Sequence, residues 1–247
     1  MNDYESDELL DQYLAFHYGD TYFGVGNYPA RCAALCRELM GQRPKRTALD
    51  LGCAVGRSTF ELAKDFDHVT GVDLSRRFIE SARLMRQRGE VSYFLRDQGE
   101  LGSSVLASLR DIGLVDVVDR VTFTLGDACR LGPEHRGYDL IFAGNLIDRL
   151  EDPRAFLASL HRYLDDEGVL VISSPYTLME AFTPRENWIG GYRRNGEPVT
   201  VLDGMREILA PHFALIQEPV DMPFVIRETR RKFQHTVAEA TAWQRIV

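Results

Sequence analysis

The residues best placed to do chemistry are three carboxylates at the ends of apolar runs. In Ala48-Leu49-Asp50-Leu51-Gly52-Cys53-Ala54-Val55-Gly56-Arg57, an acid-bearing apolar run meets two glycines, and helix-type sequence follows. This pattern predicts a strand, a tight turn and a helix N-terminus. Gly52 lets the backbone turn and approach a ligand, and Gly56 is expected to let the helix begin close against it. The spacing is not GxGxxG, and no Lys-Ser/Thr pair follows as a P-loop requires. Asp50 would repel a pyrophosphate, so it suits a cationic ligand better. Val69-Thr70-Gly71-Val72-Asp73 is a second apolar run ending in an acid, 23 residues after Asp50. Such an acid commonly accepts hydrogen bonds from the vicinal hydroxyls of a ribose. Gly126-Asp127-Ala128 closes a third run, Val121 to Leu125.

Read together, in this order and spacing, the three motifs resemble the class I S-adenosylmethionine-dependent methyltransferases. The resemblance implies that the loop from Asp50 to Gly56, with Cys53, cradles the methionine part of S-adenosyl-L-methionine. Asp73 would hold the ribose with Leu74 beside it, and Asp127 would touch the adenine amine next to Ala128. Asn145, after the fourth strand, would complete the set. The competing reading is a Rossmann-like domain for another nucleotide.

The elements that must position these residues follow from periodicity. Helix is expected over 4–18, 29–40, 56–66, 76–88 (with Ser75 as cap), 103–112 and 203–210, with another starting at Asp152-Pro153. Core strands are expected at 46–51, 68–72, 121–125, 138–143 and 169–173, with 213–218 and 236–246 as the sixth and seventh. The fold class is therefore α/β, and the resemblance implies a Rossmann-like, seven-stranded methyltransferase sheet with helices on both faces and an antiparallel C-terminal hairpin. The whole chain, 1–247, reads as one such domain. Residues 1–45 form an N-terminal helical cap or lid, 89–119 an insertion before the third core strand with an extra strand at 91–95, and 174–200 a substrate-side loop.

A formal net charge of −8 argues against an electrostatic nucleic-acid footprint. The cysteines 32, 36, 53 and 129 show no paired CxxC spacing, so thiols in a reducing cytoplasm are expected, and no metal cluster stands out. No secretory-type leader and no apolar run of about eighteen residues is visible, so no membrane segment is expected. Monomer and homodimer stay open.

Several unusual segments point further: Tyr22 to Cys32, Asp50 to Thr59, Asn145 to Leu150, Ser174 to Thr177, Phe182 to Gly191 and Arg227 to His235. As a set they resemble the ovothiol-biosynthesis methyltransferases, the 4-mercaptohistidine N1-methyltransferase family, over essentially the whole chain. The family usually has alanine where this chain has Gly26. The resemblance implies a free-standing enzyme that methylates 5-thiohistidine on the ring nitrogen nearer the side chain. An upstream iron-dependent sulfoxide synthase would supply that substrate. Other small amino-acid, imidazole or thiol acceptors, and a non-catalytic cofactor-binding protein, are the alternatives.

Within the acceptor pocket, Asn145 is expected to contact the substrate or to order its loop. Asp148 could orient the imidazole N–H or cap a short helix, and Arg149 could pair with a carboxylate or lie at the rim. Tyr176 could wall the pocket and take a hydrogen bond. Tyr22, Phe23 and Tyr28 either pin the N-terminal segment to the core or enclose a planar or cationic substrate. Arg31, a cation at a helix start, could be offset by a ligand carboxylate. For the amino-acid end, Arg185, Glu186 and Asn187 with Trp188 form one candidate set. Arg227, Lys232 and His235 form another. His17 and His235 could be bases or packed structural residues.

Overall fold

The computed structural model describes residues 5–246. The first residue of the helix expected over 4–18 thus lies outside the described residues. In chain order the elements are α1 (Asp7–Tyr18), α2 (Tyr28–Met40), β1 (Thr47–Leu51), α3 (Arg57–Leu62), β2 (His68–Asp73), α4 (Arg76–Arg88), β3 (Glu90–Gln98) and β4 (Leu101–Ser108). They continue with β5 (Val121–Leu125), β6 (Tyr138–Gly144), α5 (Pro153–Ser159), β7 (Leu164–Ser174), β8 (Tyr192–Arg194), β9 (Glu197–Val199), α6 (Val201–Leu209), β10 (Phe213–Leu215), β11 (Val220–Thr229) and β12 (Lys232–Arg245).

The main sheet follows the path β10-β12-β7-β6-β1-β2-β5. Strands β5, β2, β1, β6 and β7 are parallel; the central β1 and β6 are buried almost throughout and read as nearly continuous apolar runs, whereas the edge strand β5 alternates. The register sets Asp50 opposite Gly71 and Asp73 opposite Leu125, which brings the strand-end acids to one edge of the sheet. Two apolar clusters, one on each face, hold the helices in place. Strand β12 is antiparallel to β7, and its other side takes β10 at one end and β11 at the other. The seven-stranded path is as expected, and β11 adds an eighth strand. The β11–β12 hairpin projects past the carboxyl ends of the parallel strands, because β12 there runs on beyond its pairing with Ser174.

The insertion differs from expectation. Residues 103–112 are not a helix; most of them lie in β4, which pairs with β3 in a separate two-stranded sheet. Gly99, at a φ of +56°, turns the hairpin. A Cβ on Gly102 would fall 2.6 Å from the Phe94 ring, so strand pairing at this point depends on glycine. Three serines in β4 compete with helical backbone bonds, and four consecutive exposed residues give no helical apolar face. The loop 174–200 carries the small β8–β9 hairpin.

Candidate functional site

The turn after β1 is built by backbone bonds. The N–H groups of Gly52 and Cys53 both donate to the Val72 carbonyl, at 2.8 and 3.1 Å, fastening the turn to the end of β2. Gly52 has a φ of +74°, and a Cβ there would lie 3.1 Å from Leu146 of the loop after β6. Gly56 has a different reason from the one its position suggests. Its φ is +90°, and its missing Cβ would strike the Phe123 ring at 2.6 Å, so the glycine admits β5 rather than a ligand. Cys53 is likewise spent inside. Its side chain is buried, and its carbonyl accepts from Gly56 N–H. Burial pushes its thiol well above the usual range.

The buried Asp50 turns Oδ2 toward the first turn of α3, accepting from the Ser58 and Thr59 hydroxyls at 2.6 and 2.7 Å. Burial, only partly offset by those donors, raises its carboxyl to about 6. Asp73 accepts from Ala54 N–H at 2.9 Å and from Ser75 N–H at 2.8 Å. Burial raises its carboxyl as well. A carboxylate has about four acceptor directions, so these donors do not use up its capacity for a ligand hydroxyl. Leu74, beside it, is 63% exposed. Gly126 N–H bonds to the Asp73 carbonyl, bringing the third motif alongside. Asp127 folds onto Cys129 N–H at 2.9 Å, and Ala128 is buried against the apolar cluster.

The N-terminal helices close over this edge. Tyr18 donates to the Val55 carbonyl at 2.7 Å, and His17 Nδ1 accepts from Arg57 N–H at 3.3 Å. Burial, with the Arg57 charge, lowers His17 to about 3, so it is a neutral cap of α3 and not a base. Tyr28 donates to Asn145 Oδ1 at 2.9 Å and shares a hydrogen bond with Ser173 Oγ at 2.8 Å. Asn145, held at a φ of +52°, anchors its own N–H on the Ser173 carbonyl. Tyr28 and Asn145 are therefore brought together, and Ser173, which the sequence did not single out, joins them.

The remaining expected acceptor residues divide between those near this wall and those spent elsewhere. Asp148 is buried, accepting from Ser174 Oγ at 3.1 Å and pairing with Arg149 at 2.9 Å. Burial raises its carboxyl. It ties two loops together and is not a free base. Arg149 also lies over the Phe182 ring, 4.8 Å from its centroid, and so is not open to a carboxylate on that face. Tyr176, at a φ of +55°, donates to Glu239 Oε1 at 2.7 Å. Arg31 donates to the Pro223 carbonyl at 2.8 Å, joining α2 to β11. Tyr22 and Phe23 close on Phe233 of the hairpin, with ring centroids 4.9 and 5.0 Å apart.

Arg227 is only 11% exposed and binds Asp97 Oδ1 at 2.6 Å, fixing the hairpin to β3. It lines a cavity of about 720 Å³ between α1, β3 and the hairpin, which none of Asp50, Asp73, Asp127 or Asn145 touches. Lys232 pairs with Glu228 at 2.5 Å, and His235 is exposed on β12 opposite Val225. Asn187 donates to the Glu151 carbonyl and Trp188 to the Thr183 carbonyl, each at 2.9 Å, so the first ties its loop to the one after β6 and the second shapes the loop itself. Arg185 is exposed and stacked on Trp188 at 4.2 Å and on Tyr192 at 5.6 Å.

Residues 49–170 match the family model described as a methyltransferase domain. The fold is that of a class I methyltransferase. The trans-aconitate 2-methyltransferase of Methylobacterium radiotolerans is 30% identical over 148 residues, 58% of this chain and 44% of that protein. The chain thus spans less than half the length of this curated relative. Among solved structures, the N-methyltransferase NodS from Bradyrhizobium japonicum WM9, in complex with S-adenosyl-L-homocysteine, aligns with a TM-score of 0.55 at 17% identity over 96% of this chain and 99% of that one. The [4+2]-cyclase SpnF aligns with a TM-score of 0.60 at 15% identity over 98% and 94%. Likeness at these identities speaks for the fold alone. In this methyltransferase fold, the donor set suits S-adenosylmethionine. Asp73 offers acceptors for a ribose diol, exposed Leu74 an apolar face for adenine, and Asp127 a carboxylate for its amine. The Gly52 turn leaves room where a Cβ would stand. Among the described residues, no group of His, Cys, Asp and Glu is arranged to hold a metal, and no helix is long and apolar enough to cross a membrane.

Proposed function

We propose that the chain is an S-adenosylmethionine-dependent N-methyltransferase whose acceptor is 5-thiohistidine, methylated on the ring nitrogen nearer the side chain. Methyl transfer to a small molecule is supported by the family match over 49–170 and by the acids at the ends of β1, β2 and β5. The finer reading rests on one observation. Segments that resemble the ovothiol methyltransferases lie far apart in the chain, yet their side chains meet around the ends of β6, β7 and β12. Tyr28 bonds Asn145, Ser174 bonds Asp148, Arg149 reaches the Thr177 carbonyl, and Phe233 packs on Tyr22 and Phe23.

When bound, the cofactor supplies an electrophilic methyl group, and its in-line displacement calls chiefly for alignment. The chain's task is then to present the ring nitrogen in place of the softer sulfur. Because Tyr28 occupies Asn145 Oδ1, the Asn145 amide keeps its N–H donors for the acceptor. A donor there suits the thiolate and would turn it away from the methyl. Arg185, stacked but in no ion pair among the described residues, is the cation left for the substrate carboxylate. On this reading an upstream iron-dependent sulfoxide synthase supplies the acceptor.

A tricarboxylate acceptor, as the trans-aconitate relative's name indicates for that protein, would need several free cations. Here Arg31, Arg149 and Arg227 are each already bonded. Another small amine, imidazole or thiol acceptor fits the same wall and is the second reading. The purified chain, S-adenosylmethionine and 5-thiohistidine should yield a singly methylated product by mass spectrometry. Two-dimensional NMR should correlate the new methyl with the ring carbon bearing the side chain. A methyl on sulfur would overturn the regiochemistry. No turnover, with cofactor binding demonstrated in the same sample, would move the acceptor to the second reading or the protein to a non-catalytic role.

A further inference from the structure

We propose that Glu239, held by the Tyr176 hydroxyl, is the acceptor for a substrate ammonium group and so selects amine-bearing acceptors. The inference rests on reading the wall at β6 and β7 as the acceptor side of a methyltransferase, and it adds a specificity residue to that wall.

Glu239 lies on β12, directly opposite Ser174 at the end of β7. Alternation along β12 sends Ala238, Ala240 and Ala242 into one apolar cluster. Glu239, Thr241 and Trp243 share the other face with their β7 partners Ser174, Ile172 and Leu170. Ser174 is the residue that donates to Asp148 and accepts from Tyr176 N–H. Glu239 is therefore a direct neighbour of the loops that follow β6 and β7. It is half-buried, and Tyr176 donates to one of its oxygens at 2.7 Å.

Its charge is what calls for a ligand. Asp148, the other carboxylate at this edge, is neutralised by Arg149. Among the described residues no lysine, arginine or histidine pairs with Glu239. Across the hairpin the residue directly opposite is Asp221, a like charge on the same face. Like charges placed directly opposite on one face destabilise a strand pair. A half-buried carboxylate with a like-charged neighbour and one neutral donor is compensated by a cation that arrives with the substrate. The tyrosine holds the carboxylate through Oε1, and the proposal gives the other oxygen to the ligand. An α-ammonium group has the donors and the charge for that oxygen.

The test compares 5-thiohistidine with its des-amino analogue, a thioimidazole propionate, in wild type, Glu239→Gln, Glu239→Asp and Tyr176→Phe. Wild type should favour the amine-bearing acceptor by about tenfold or more in kcat/KM, mainly through KM, as for loss of a charged pair partner. In Glu239→Gln that ratio should fall to near one. Glu239→Asp should restore part of it, and Tyr176→Phe, which leaves the carboxylate unheld, should lower it less than Glu239→Gln does. Calorimetry with S-adenosylhomocysteine on each variant reports whether the fold and the cofactor side persist. Equal losses on both acceptors, or an undiminished ratio in Glu239→Gln, would overturn the assignment. If thiohistidine is not methylated, calorimetric binding of histidine against imidazole propionate replaces turnover. A preference for the amine lost in Glu239→Gln would then uphold Glu239 and overturn only the acceptor. No such preference would overturn Glu239.

Discussion

At the ends of β1 and β2, Asp50 and Asp73 are held by neutral donors, two hydroxyls and two backbone N–H groups, while Asp127 at the end of β5 takes one backbone N–H and a loose, exposed ion pair with Arg130 at 3.7 Å. At the ends of β6 and β7 and along the hairpin, charged groups hold one another: Asp148 with Arg149, Arg227 with Asp97, and Lys232 with Glu228. Neutral donors orient a carboxylate without cancelling its charge. Ion pairs cancel it and spend it on joining loops. On the proposed reading, Asp50 and Asp73 thus keep their negative charge for a cationic, hydroxyl-bearing ligand. The side formed by the ends of β6 and β7 and the hairpin leaves, on the proposed reading, only a few groups for an acceptor, chiefly the Asn145 amide, Glu239 and Arg185.

The sharpest way to break this contrast is to damage the parallel half's scaffold while sparing its acids. Gly56→Ala forces a left-handed φ on alanine and drives Cβ into Phe123 at 2.6 Å. Strain and overpacking together should cost about 3 kcal/mol of stability, read from the urea midpoint. The Phe123→Leu background should recover part of it. Gly52→Ala carries the same left-handed strain, at a φ of +74°, but meets the end of the Leu146 side chain at 3.1 Å rather than a ring at 2.6 Å, so its cost should be smaller and should fall in part on cofactor affinity.

Next in size is Asp73→Ala. It removes the acceptor for Ala54 and Ser75 N–H and for the ligand hydroxyls. Losing a charged acceptor should weaken S-adenosylhomocysteine binding by about 3 kcal/mol, roughly 100-fold. Unchanged affinity by calorimetry in a folded variant would place the ribose elsewhere.

A third effect depends on pH. The folded chain holds a proton on Asp50 up to about 6, whereas the ordinary value is 3.8. That group's contribution to stability is present below the lower value and lost as pH rises through the higher one. A cation bound nearby reverses the preference and favours the ionised form. Cofactor affinity should therefore rise by about tenfold from pH 5 to pH 7, with proton release detectable by calorimetry in buffers of different ionisation enthalpy. In Asp50→Asn the rise should be smaller, leaving only what Asp73 contributes. Equal slopes in both proteins would show that the ligand's positive charge lies away from Asp50.

The same contrast explains what could be read from the sequence. Strand-end acids with glycines are local patterns, so the strands and turns that carry Asp50, Asp73 and Asp127 are legible in the sequence. The purpose of Gly56 was not, because Phe123 arrives from another strand. The acceptor half depends on pairings between distant segments. Nothing local to Arg227 reveals Asp97, and nothing local to Tyr176 reveals Glu239. Pro223 and a mixed pattern hide the pairing of β11 with β12, and residues 103–112 read as helix although Gly99 and Gly102 mark a hairpin.

The smallest expected effect tests whether the aromatic contact at the hairpin belongs to the acceptor half alone. Phe233 meets Tyr22 and Phe23 at the point where the loop after α1 touches the hairpin. Phe23 is 71% exposed, so little else holds that ring down. Each aromatic pair contributes about 0.5–1.5 kcal/mol. Phe233→Ala should free the loop over 19–27, seen as faster amide exchange there, while Tyr18 and His17 keep α1 fastened to the cofactor turn. KM for the acceptor should rise by about three- to tenfold, in line with the loss of one or two such contacts. Affinity for S-adenosylhomocysteine should stay within about twofold, since the residues that hold the cofactor turn do not touch Phe233. A parallel loss of cofactor affinity would mean that the contact closes over both halves, and that the division of labour between them ends at the N-terminal loop.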